Sequence, residues 1–470
     1  MRRTKTVCTI GPATETKTKI NLMIKNGMDV ARLNFSHGTH SWFAKTIHII
    51  RQEAKKLNKP VAILQDLCGP KIRLGNFPVG GMEIKQGQKI IIAYKPDKEL
   101  LAKNNLFDCS IDLSKYLNKG QIVLIDDGKA QLETVSISKK NATVAFISHS
   151  NHFVKNHKGV NLPYTPSDIS SLTDKDIQDL IFGLNYQPEF IALSFVKNGN
   201  DIIKLKKILT KNKVKTKIIA KIETALALQN IDEIIASADG IMVARGDLGL
   251  ETPIDELAIV QKMIIQKCIF TSKPVIVATQ MLASMTHNPL PTRAEACDVA
   301  NAVFDNTDAV MLSEESAVGN FPVKSVNTLA KICQTTDENL YIKENGFLAI
   351  PHTTQITSLA TSACQTAINI DAKMIIIPSF SGSTARIIAS HKPPIPIIAC
   401  TNDTTLYNQL SLSWGITPAL INTKKLSQLI PNTITRFTKS HQLKKGDKVV
   451  ILVSSKLTHL EADQLHIKTI

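Results

Sequence analysis

Acidic and basic side chains alternate at the ends of short apolar runs in this chain, a pattern that suits phosphate and divalent-metal chemistry. Lys221 and Glu223 are two residues apart, so in a strand both side chains point the same way. Asp247 ends the next apolar run, beside Gly246, which lets a ligand approach the backbone. Glu223 and Asp247 offer hard oxygens suited to Mg²⁺, and Lys221 suits an anion. A structural salt-bridge network is the alternative interpretation.

Two further segments combine cations with acidic or polar side chains. Arg32, Asn34 and Ser36 occupy alternate positions, so a strand would place them on one face. Asp66 is followed by a Gly-Pro exit and two cations within residues 69–73. Arginine is a planar bidentate donor expected at phosphate sites. Polar residues that only mark a strand end are the alternative.

Two segments with hydroxyl side chains are weaker indications of a functional site. Thr279 ends an apolar run, and alone it is as consistent with a structural role as with a functional one. A Gly/Ser/Thr loop lies between a predicted strand and a predicted helix, where exposed N–H groups and hydroxyls suit a phosphate. Its candidate ligand-binding residues are Ser381, Gly382, Ser383 and Thr384. Helix capping by Ser383 or Thr384 is the alternative.

The elements that position these groups alternate between strand and helix. The predicted strands are Thr6–Ile10, Asp29–Phe35, Val61–Asp66, Phe190–Phe195, Lys217–Ile222, Gly240–Ala244, Pro274–Ala278 and Asp308–Leu312. The predicted helices between them include Lys17–Asn26, His40–Leu57, Ala225–Ala236 and Glu256–Thr271. Eight parallel βα units close a TIM barrel, which carries its functional residues at the C-terminal strand ends. An open doubly wound sheet is the alternative, but no GxGxxG follows any strand.

The barrel pattern is interrupted once and followed by a second αβ series. Period-two alternation and turn signals predict an all-β insertion. The polar stretch Thr335–Thr354 predicts a linker, and Lys448–Val453 is expected as the last strand. We therefore expect an α/β fold with three domains. They are a TIM (β/α)8 barrel over residues 1–68 and 163–340, a β-rich lid over 69–162, and a C-terminal open α/β domain over 341–470.

Composition excludes several classes of protein. The 470 residues are 43% hydrophobic, but the apolar runs are far too short to span a bilayer, so we expect no membrane partner. The net charge of +16 is nearly all lysine, and aromatic residues are only 5%, which argues against nucleic-acid binding. The eight cysteines form no CxxC pair and no signal peptide opens the chain. These features predict reduced thiols and a cytoplasmic location.

Taken together, these segments resemble the pyruvate kinase family over essentially the whole chain. The segments that carry the resemblance are Cys8–Ala13, Ala31–Gly38, Asp66 with Gly69–Arg73, Lys221–Glu223, Ala244–Gly249, Ala278–Leu282, Pro291–Glu295 and Asp308–Glu314. The family combines a TIM barrel, a lid inserted after the third strand and a C-terminal α/β domain. The resemblance implies Mg²⁺-dependent phosphoryl transfer from phosphoenolpyruvate to ADP, giving pyruvate and ATP in the last step of glycolysis.

The resemblance also implies a role for each charged residue of the predicted mouth. Arg32 and Arg73 would clamp phosphate. Lys221 would be the cation beside the transferring phosphoryl group, where charge spreads over the equatorial oxygens. Glu223 and Asp247 would hold Mg²⁺ or Mn²⁺.

The remaining implied contacts involve backbone groups, the Thr279 hydroxyl and the nucleotide. The N–H groups of Gly246 and Asp247 would bind the substrate carboxylate. Thr279 would lie near the carbon that is protonated after transfer, acting through water. The residues implied to contact the nucleotide are Asn34, His37 and Arg73. Closure of the lid would exclude water and limit hydrolysis.

One departure from the family concerns potassium. A monovalent-cation pocket is implied at Asn34, Ser36, Asp66 and the carbonyl oxygen of Leu67. Many members have an acidic residue at the position of Lys71 and need K⁺. We expect the Lys71 ammonium to supply the positive charge that K⁺ gives elsewhere, so that activity needs little or no added K⁺.

The resemblance further implies a homotetramer and a phosphorylated allosteric effector at the loop 381–384. The sequence is also compatible with two other functions. One is a different barrel enzyme that acts on phosphoenolpyruvate or a related keto acid, such as a lyase. The other is a nucleic-acid-binding protein that depends on the net charge of +16.

Overall fold

The chain alternates strands and helices at both ends and is almost entirely strands in between. The computed structural model describes residues 2–76, 80–96, 105–163, 169–340, 347–348, 350–351, 354–453 and 463–470. The strands are β1 (Lys5–Thr9), β2 (Val30–Asn34), β3 (Ala62–Asp66), β4 (Gly81–Ile84), β5 (Lys89–Tyr94), β6 (Leu106–Cys109), β7 (Ile122–Ile125), β8 (Ala130–Ser138), β9 (Thr143–Ser148), β10 (His152–Lys155), β11 (Val160–Asn161), β12 (Phe190–Leu193), β13 (Lys217–Ile222), β14 (Gly240–Ala244), β15 (Val275–Ala278), β16 (Ala309–Leu312), β17 (Met374–Pro378), β18 (Ile397–Thr401), β19 (Ile416–Leu420), β20 (Lys448–Val453) and β21 (Gln464–Thr469).

The helices separate the strands of the first and last units. They are α1 (Lys17–Lys25), α2 (His40–Lys56), α3 (Asp174–Leu184), α4 (Gly199–Lys211), α5 (Ala225–Gln229), α6 (Ile231–Ser237), α7 (Arg245–Glu251), α8 (Leu257–Phe270), α9 (Arg293–Phe304), α10 (Glu314–Ala317), α11 (Pro322–Glu338), α12 (Gln355–Asn369), α13 (Ser383–Ser390), α14 (Thr404–Gln409) and α15 (Leu429–Lys439). Capping boxes at Thr173 and Thr292 satisfy the N-terminal N–H groups of α3 and α9.

Strands β1–β3 and β12–β16 close a parallel barrel in the order β1-β16-β15-β14-β13-β12-β3-β2. Their continuous apolar runs reflect burial on both faces. Side chains such as Ile219 and Met242 fill the interior, whereas Ile191 and Ile218 pack outward in the core shared with the helices. The predicted TIM barrel is therefore confirmed, and the open doubly wound sheet is excluded. All eight C-terminal strand ends open at one mouth.

The insertion after β3 has a core of its own. Six strands pair in the order β11-β7-β8-β9-β5-β6, and β10 pairs with β4 in a separate ribbon. Phe107 and Phe146 are fully buried inside it. Its tip lies against the barrel, since a Cβ atom on Gly128 would be 3.1 Å from Leu250 in α7. The insertion thus reaches over the barrel mouth.

The C-terminal unit is an open sheet in the order β19-β18-β17-β20-β21. Four of its strands are parallel, and β21 pairs antiparallel with β20. The predicted strand Lys448–Val453 is correct, but the expectation that it is the last strand is wrong. The sheet continues because the segment Gln464–Thr469 returns along its edge.

Two further sequence predictions need correction. The single helix expected over Ala225–Ala236 is two helices that meet at Asn230. The linker Thr335–Thr354 begins too early, because α11 continues to Glu338. Near its end the buried Asp337 accepts hydrogen bonds from the first residues of the chain, which ties the helix to β1. Residues 341–346, 349 and 352–353 of this predicted linker lie outside the described residues. The domain boundaries at 68, 162 and 340 stay a prediction.

Candidate active site

The ammonium group of Lys221 lies among acidic and polar groups at the barrel mouth. Its Nζ atom is 2.9 Å from Glu223 Oε1 and 3.3 Å from Asp66 Oδ1. It also donates a hydrogen bond of 2.7 Å to Ser194 Oγ. These groups meet because β3, β12 and β13 are neighbours in the barrel, and their C-terminal ends lie side by side. Lys221 and Glu223 point the same way, as their alternation predicts.

The neighbouring carboxylates decide the protonation state of the buried Lys221 ammonium. Burial disfavours the ammonium, but Asp66 and Glu223 outweigh that effect and raise the pKa of Lys221. Burial also disfavours the Asp66 carboxylate, yet Lys221 and Arg32 hold its pKa below the usual value. Burial raises the pKa of Glu223; Lys221 opposes this rise and the Asp247 carboxylate adds to it. Lys221 and Asp66 are therefore both ionised at neutral pH.

Arg32 is the second cation bound to the same aspartate. Its Nε atom is 2.7 Å from Asp66 Oδ2, and a terminal nitrogen donates to Thr9 Oγ1 at 2.9 Å. The side chain leaves β2 and is anchored on both neighbouring strands. A single carboxylate thus orients Arg32 and Lys221, the two cations that sequence analysis predicts to face substrate phosphate.

A cationic rim continues from the barrel to the insertion. Burial is the largest cause of the lowered pKa of His37, followed by the nearby charges of Arg73, Lys71 and Arg32. The imidazole is therefore neutral at pH 7. Arg73 is held by a hydrogen bond of 3.0 Å to the carbonyl oxygen of His157. The structure thus brings His37 and the cations Arg73, Lys71 and Arg32 close together.

The mouth opens into a cavity of about 600 Å³ between the barrel and the insertion. Gly246, Asp247 and Thr279 line it from the barrel, whereas Lys71 and Asp127 line it from the insertion. Ligand pockets for small metabolites commonly have volumes of roughly 300–1,000 Å³. The predicted substrate-binding residues that follow β14 and β15 therefore share one cavity of suitable size, whereas Arg32 and Lys221 do not line it.

Glu223 and Asp247 fit a divalent cation. They lie close enough for the Asp247 charge to raise the pKa of Glu223, and their oxygens are the type that Mg²⁺ prefers. Within the described ranges, no group of three or more His, Cys, Asp and Glu side chains converges as a complete metal site. The pair therefore suits a Mg²⁺ ion that takes its other ligands from substrate and water.

The atoms expected to form a monovalent-cation pocket are bonded to other protein groups. Asn34 Oδ1 accepts from the Ser36 N–H at 3.1 Å, and the Leu67 carbonyl oxygen accepts from Ser194 Oγ at 2.6 Å. Asp66 is engaged by the two cations described above. The structure brings these groups to the adjacent ends of β2 and β3.

Arg245 holds the loop that carries Thr279. Thr279 and Gln280 have φ angles of 71° and 54°, in the left-handed region that non-glycine residues rarely adopt. Arg245 donates to the carbonyl oxygens of Thr279 at 2.7 Å and Gln280 at 3.2 Å, and Asp298 binds it at 2.8 Å. The Gly246 N–H, expected to face the substrate carboxylate, donates to Thr279 Oγ1 at 2.8 Å.

The predicted effector loop is separate from the mouth, since it lies between β17 and α13 in the C-terminal unit. Gly382 precedes α13 with φ 78°, and its N–H donates to Ser379 Oγ at 2.9 Å. The exposed hydroxyls of Ser381 and Ser383 are 3.1 Å apart, and Thr384 is buried. Because Gly382 is the N-cap residue, the alternative of capping by Ser383 or Thr384 is not what the structure shows.

Three residues of this site were not predicted from the sequence. Ser194 and Thr9 hold Lys221 and Arg32, and both lie at C-terminal strand ends, where the barrel pattern could have identified them. Asp298 lies in α9, far along the chain from Arg245, and no local signal marks it. Its role depends on helix packing that spacing alone does not reveal.

Two family models match this chain, one over the barrel and one over the C-terminal unit. The family model described as pyruvate kinase, barrel domain, matches residues 1–326, and that described as pyruvate kinase, alpha/beta domain, matches residues 357–467. The chain belongs to the pyruvate kinase family. Pyruvate kinase of Geobacillus stearothermophilus is 40% identical over 459 residues, which are 96% of this chain and 77% of that protein. Pyruvate kinase of Clostridium acetobutylicum is 40% identical over 463 residues, covering 96% of both chains.

A solved structure supports the same assignment. The crystal structure of a pyruvate kinase from Cryptosporidium parvum superposes with a TM-score of 0.92 at 34% identity, covering 100% of this chain and 96% of that one. As a member of the family, the chain is a phosphotransferase, and the family reaction converts phosphoenolpyruvate and ADP to pyruvate and ATP with a divalent metal. No helix in the described parts of the chain is long and apolar enough to cross a bilayer.

Replacing Arg245 tests its support of the Thr279 loop. In Arg245→Lys one ammonium cannot reproduce the planar contacts to two carbonyl oxygens and Asp298, so we expect kcat to fall about ten- to hundredfold. KM for phosphoenolpyruvate should change less, because Arg32 and Lys221, which are predicted to face the phosphate, stay in place. Pyruvate formation in a coupled assay measures both constants. Arg436→Lys, at an exposed position, is the matched control; equal effects in the two variants would contradict this role.

Proposed function

We propose that the barrel mouth of this chain transfers the phosphoryl group of phosphoenolpyruvate to ADP, with Lys221 as the principal cation at the transferring group. The observation that carries this proposal is the ammonium ion held among Asp66, Glu223 and Ser194. A fixed positive charge at this point stabilises the charge that develops on the equatorial phosphoryl oxygens. Arg32 forms an ion pair with the same aspartate, Asp66, and would orient the phosphate.

Other residues of the mouth would bind and position the two substrates. Arg73 and His37, with Asn34, lie where the insertion meets the barrel and would contact the ADP phosphates. The Gly246 and Asp247 amides would receive the substrate carboxylate once Thr279 Oγ1 turns away from Gly246. Thr279 would then direct water to the carbon that is protonated.

A divalent cation would complete the site. Glu223 and Asp247 would hold Mg²⁺ or Mn²⁺, which when bound supplies electrostatic neutralisation of the phosphate oxygens. The insertion would exclude water as it covers the cavity, which limits hydrolysis of the phosphoryl group. Asp247 lines the cavity, and Glu223 lies behind it in contact with Lys221, which supports these roles.

We also propose the organisation of the chain around this site. The separate sheets and the two family matches support a barrel over 1–68 and 163–340, a lid over 69–162 and a C-terminal domain over 341–470. The eight free thiols favour a cytoplasmic location. A homotetramer is what the resemblance to the family implies.

Lys221→Met tests the central proposal. Loss of one preorganised cation should lower kcat about 10²–10³-fold for ADP-dependent pyruvate formation. Lys221→Arg keeps the charge and should retain more activity than the methionine variant. Lys424→Met removes an exposed lysine and should behave as the unchanged chain. Wild-type rates in Lys221→Met, with correct folding by circular dichroism, would reject the role.

We propose that Lys71 replaces the monovalent cation. It lies near His37 and Arg73, and its Cε atom is 3.7 Å from the position of a Cβ on Gly159, so the ammonium extends along the seam between insertion and barrel. A fixed charge there would supply the positive potential that K⁺ supplies elsewhere.

The potassium proposal predicts two results in Tris or tetramethylammonium buffer. Adding K⁺ should raise the activity of the unchanged chain by less than about tenfold, whereas Lys71→Glu should become dependent on K⁺. Lys71→Met separates loss of charge from gain of a carboxylate. A larger activation of the unchanged chain by K⁺ would show that Lys71 does not replace the ion.

We propose that the loop Ser381–Thr384 binds a phosphorylated activator. The exposed hydroxyls of Ser381 and Ser383 flank the start of α13, where N–H groups favour an anion. Thr384→Asp adds a like charge, so we expect the activation curve for a sugar phosphate or nucleoside monophosphate to shift about tenfold or more to higher concentration. Basal activity should stay unchanged. Superimposable activation curves would refute the assignment.

A further inference from the structure

A small polar cavity lies where the N-terminal end of the barrel meets the C-terminal unit. Lys273 and Asp308 line it from the segments before β15 and β16, and Arg386 and Lys392 line it from α13 and the residues after it. Its volume is about 10 Å³, which is space for one occupant of the size of a water molecule. The cavity is on the opposite end of the barrel from the active site.

The buried ammonium of Lys392 lacks a hydrogen-bond acceptor among the described residues of this cavity. Its side chain is 5% exposed, and its Nζ atom has no hydrogen-bond partner in the described part of the chain. The nearest carboxylate oxygen, on Asp308, is 3.6 Å away, and the Trp414 ring centroid is at 4.8 Å. A buried ammonium without a hydrogen-bond acceptor is costly, so a missing acceptor is expected at this point.

Asp308 cannot balance the positive charge by itself. Its Oδ1 atom accepts the N–H of Trp414 at 3.0 Å, and its Oδ2 atom accepts the N–H of Val275 at 3.1 Å. Burial lowers the pKa values of Lys392 and Arg386, and the carboxylates near them only partly oppose it. Three cationic side chains and one carboxylate line the cavity, and that carboxylate is already bonded to two backbone groups. The Asp239 and Asp337 carboxylates also lie near these cations, but they are outside the lining, where Asp239 binds Lys217 and Asp337 accepts the N–H groups of the first residues of the chain.

We propose that this cavity binds a monovalent anion of the size of chloride, which joins the barrel to the C-terminal unit. A water molecule has the right size but no net charge to offset the three cations. Inorganic phosphate has the right charge but needs more space than one water-sized occupant. Chloride satisfies both conditions, and it accepts the hydrogen bonds of ammonium and guanidinium groups.

Arg386 links this cavity to the loop Ser381–Thr384. Its guanidinium donates to the Ser381 carbonyl oxygen at 3.2 Å, so it contacts the proposed effector loop while it lines the cavity. An anion that holds Arg386 against Lys273 would connect that loop to the barrel through one side chain. The inference does not depend on the catalytic proposal, because no active-site residue takes part.

Thermal unfolding in chloride and in gluconate at equal ionic strength tests the site. Chloride should raise the unfolding temperature of the unchanged chain in a saturable way, by about 2 °C or more, whereas gluconate is too large to enter. The chloride increment should vanish in Lys392→Met and persist in Lys424→Met, an exposed control. An equal increment in all three proteins would overturn the proposal. Stabilisation by phosphate but not by chloride would also overturn it.

Crystals of the unchanged chain give a test that does not depend on a variant that folds. After a brief soak in bromide, anomalous scattering should show a peak within about 3.5 Å of Lys392 Nζ. A water molecule without anomalous signal at this position would overturn the proposal. Bromide peaks confined to the surface would overturn it as well.

Discussion

The buried ammonium of Lys221 is the interaction on which the active site depends. It shares Asp66 with Arg32 and contacts Glu223, so one cation holds both carboxylates in place. Removing a partner from a buried ion pair typically costs about 3–5 kcal/mol, because the remaining charge is left uncompensated. The barrel can carry this group only because eight strand ends converge there, each supplying one or two polar side chains above an apolar interior.

The turn that carries Thr279 at the barrel mouth is stabilised by residues that lie outside the mouth. Thr279 follows directly after a buried strand, and the chain must turn sharply to keep its hydroxyl in the mouth. Arg245 stabilises that turn through two carbonyl oxygens, and Asp298 in a neighbouring helix holds Arg245. Precision in the mouth therefore depends on the packing of the outer helices.

Most of the fold and much of the site could be predicted from the sequence. The eight barrel strands are buried on both faces, which produces short continuous apolar runs with polar ends, and Lys221 and Glu223 stand out against them. Ser194 follows the same rule but ends its strand as an ordinary hydroxyl. Asp298 could not be predicted, because its contact depends on helix packing. The small polar cavity beneath the barrel could not be predicted either, since Lys273 is more than a hundred residues from Arg386 and Lys392.

The attachment of the insertion has a consequence for how substrate is held. The chain leaves β3 at Asp66 and enters the insertion within a few residues, so the aspartate that orients Arg32 and Lys221 lies beside the point at which the insertion is attached. Outward rotation of the insertion would carry Lys71 and Arg73 away from the barrel and pull on the backbone beside Asp66. The open form would therefore be both less positive and less ordered at its centre, which couples product escape to loss of the reactive geometry.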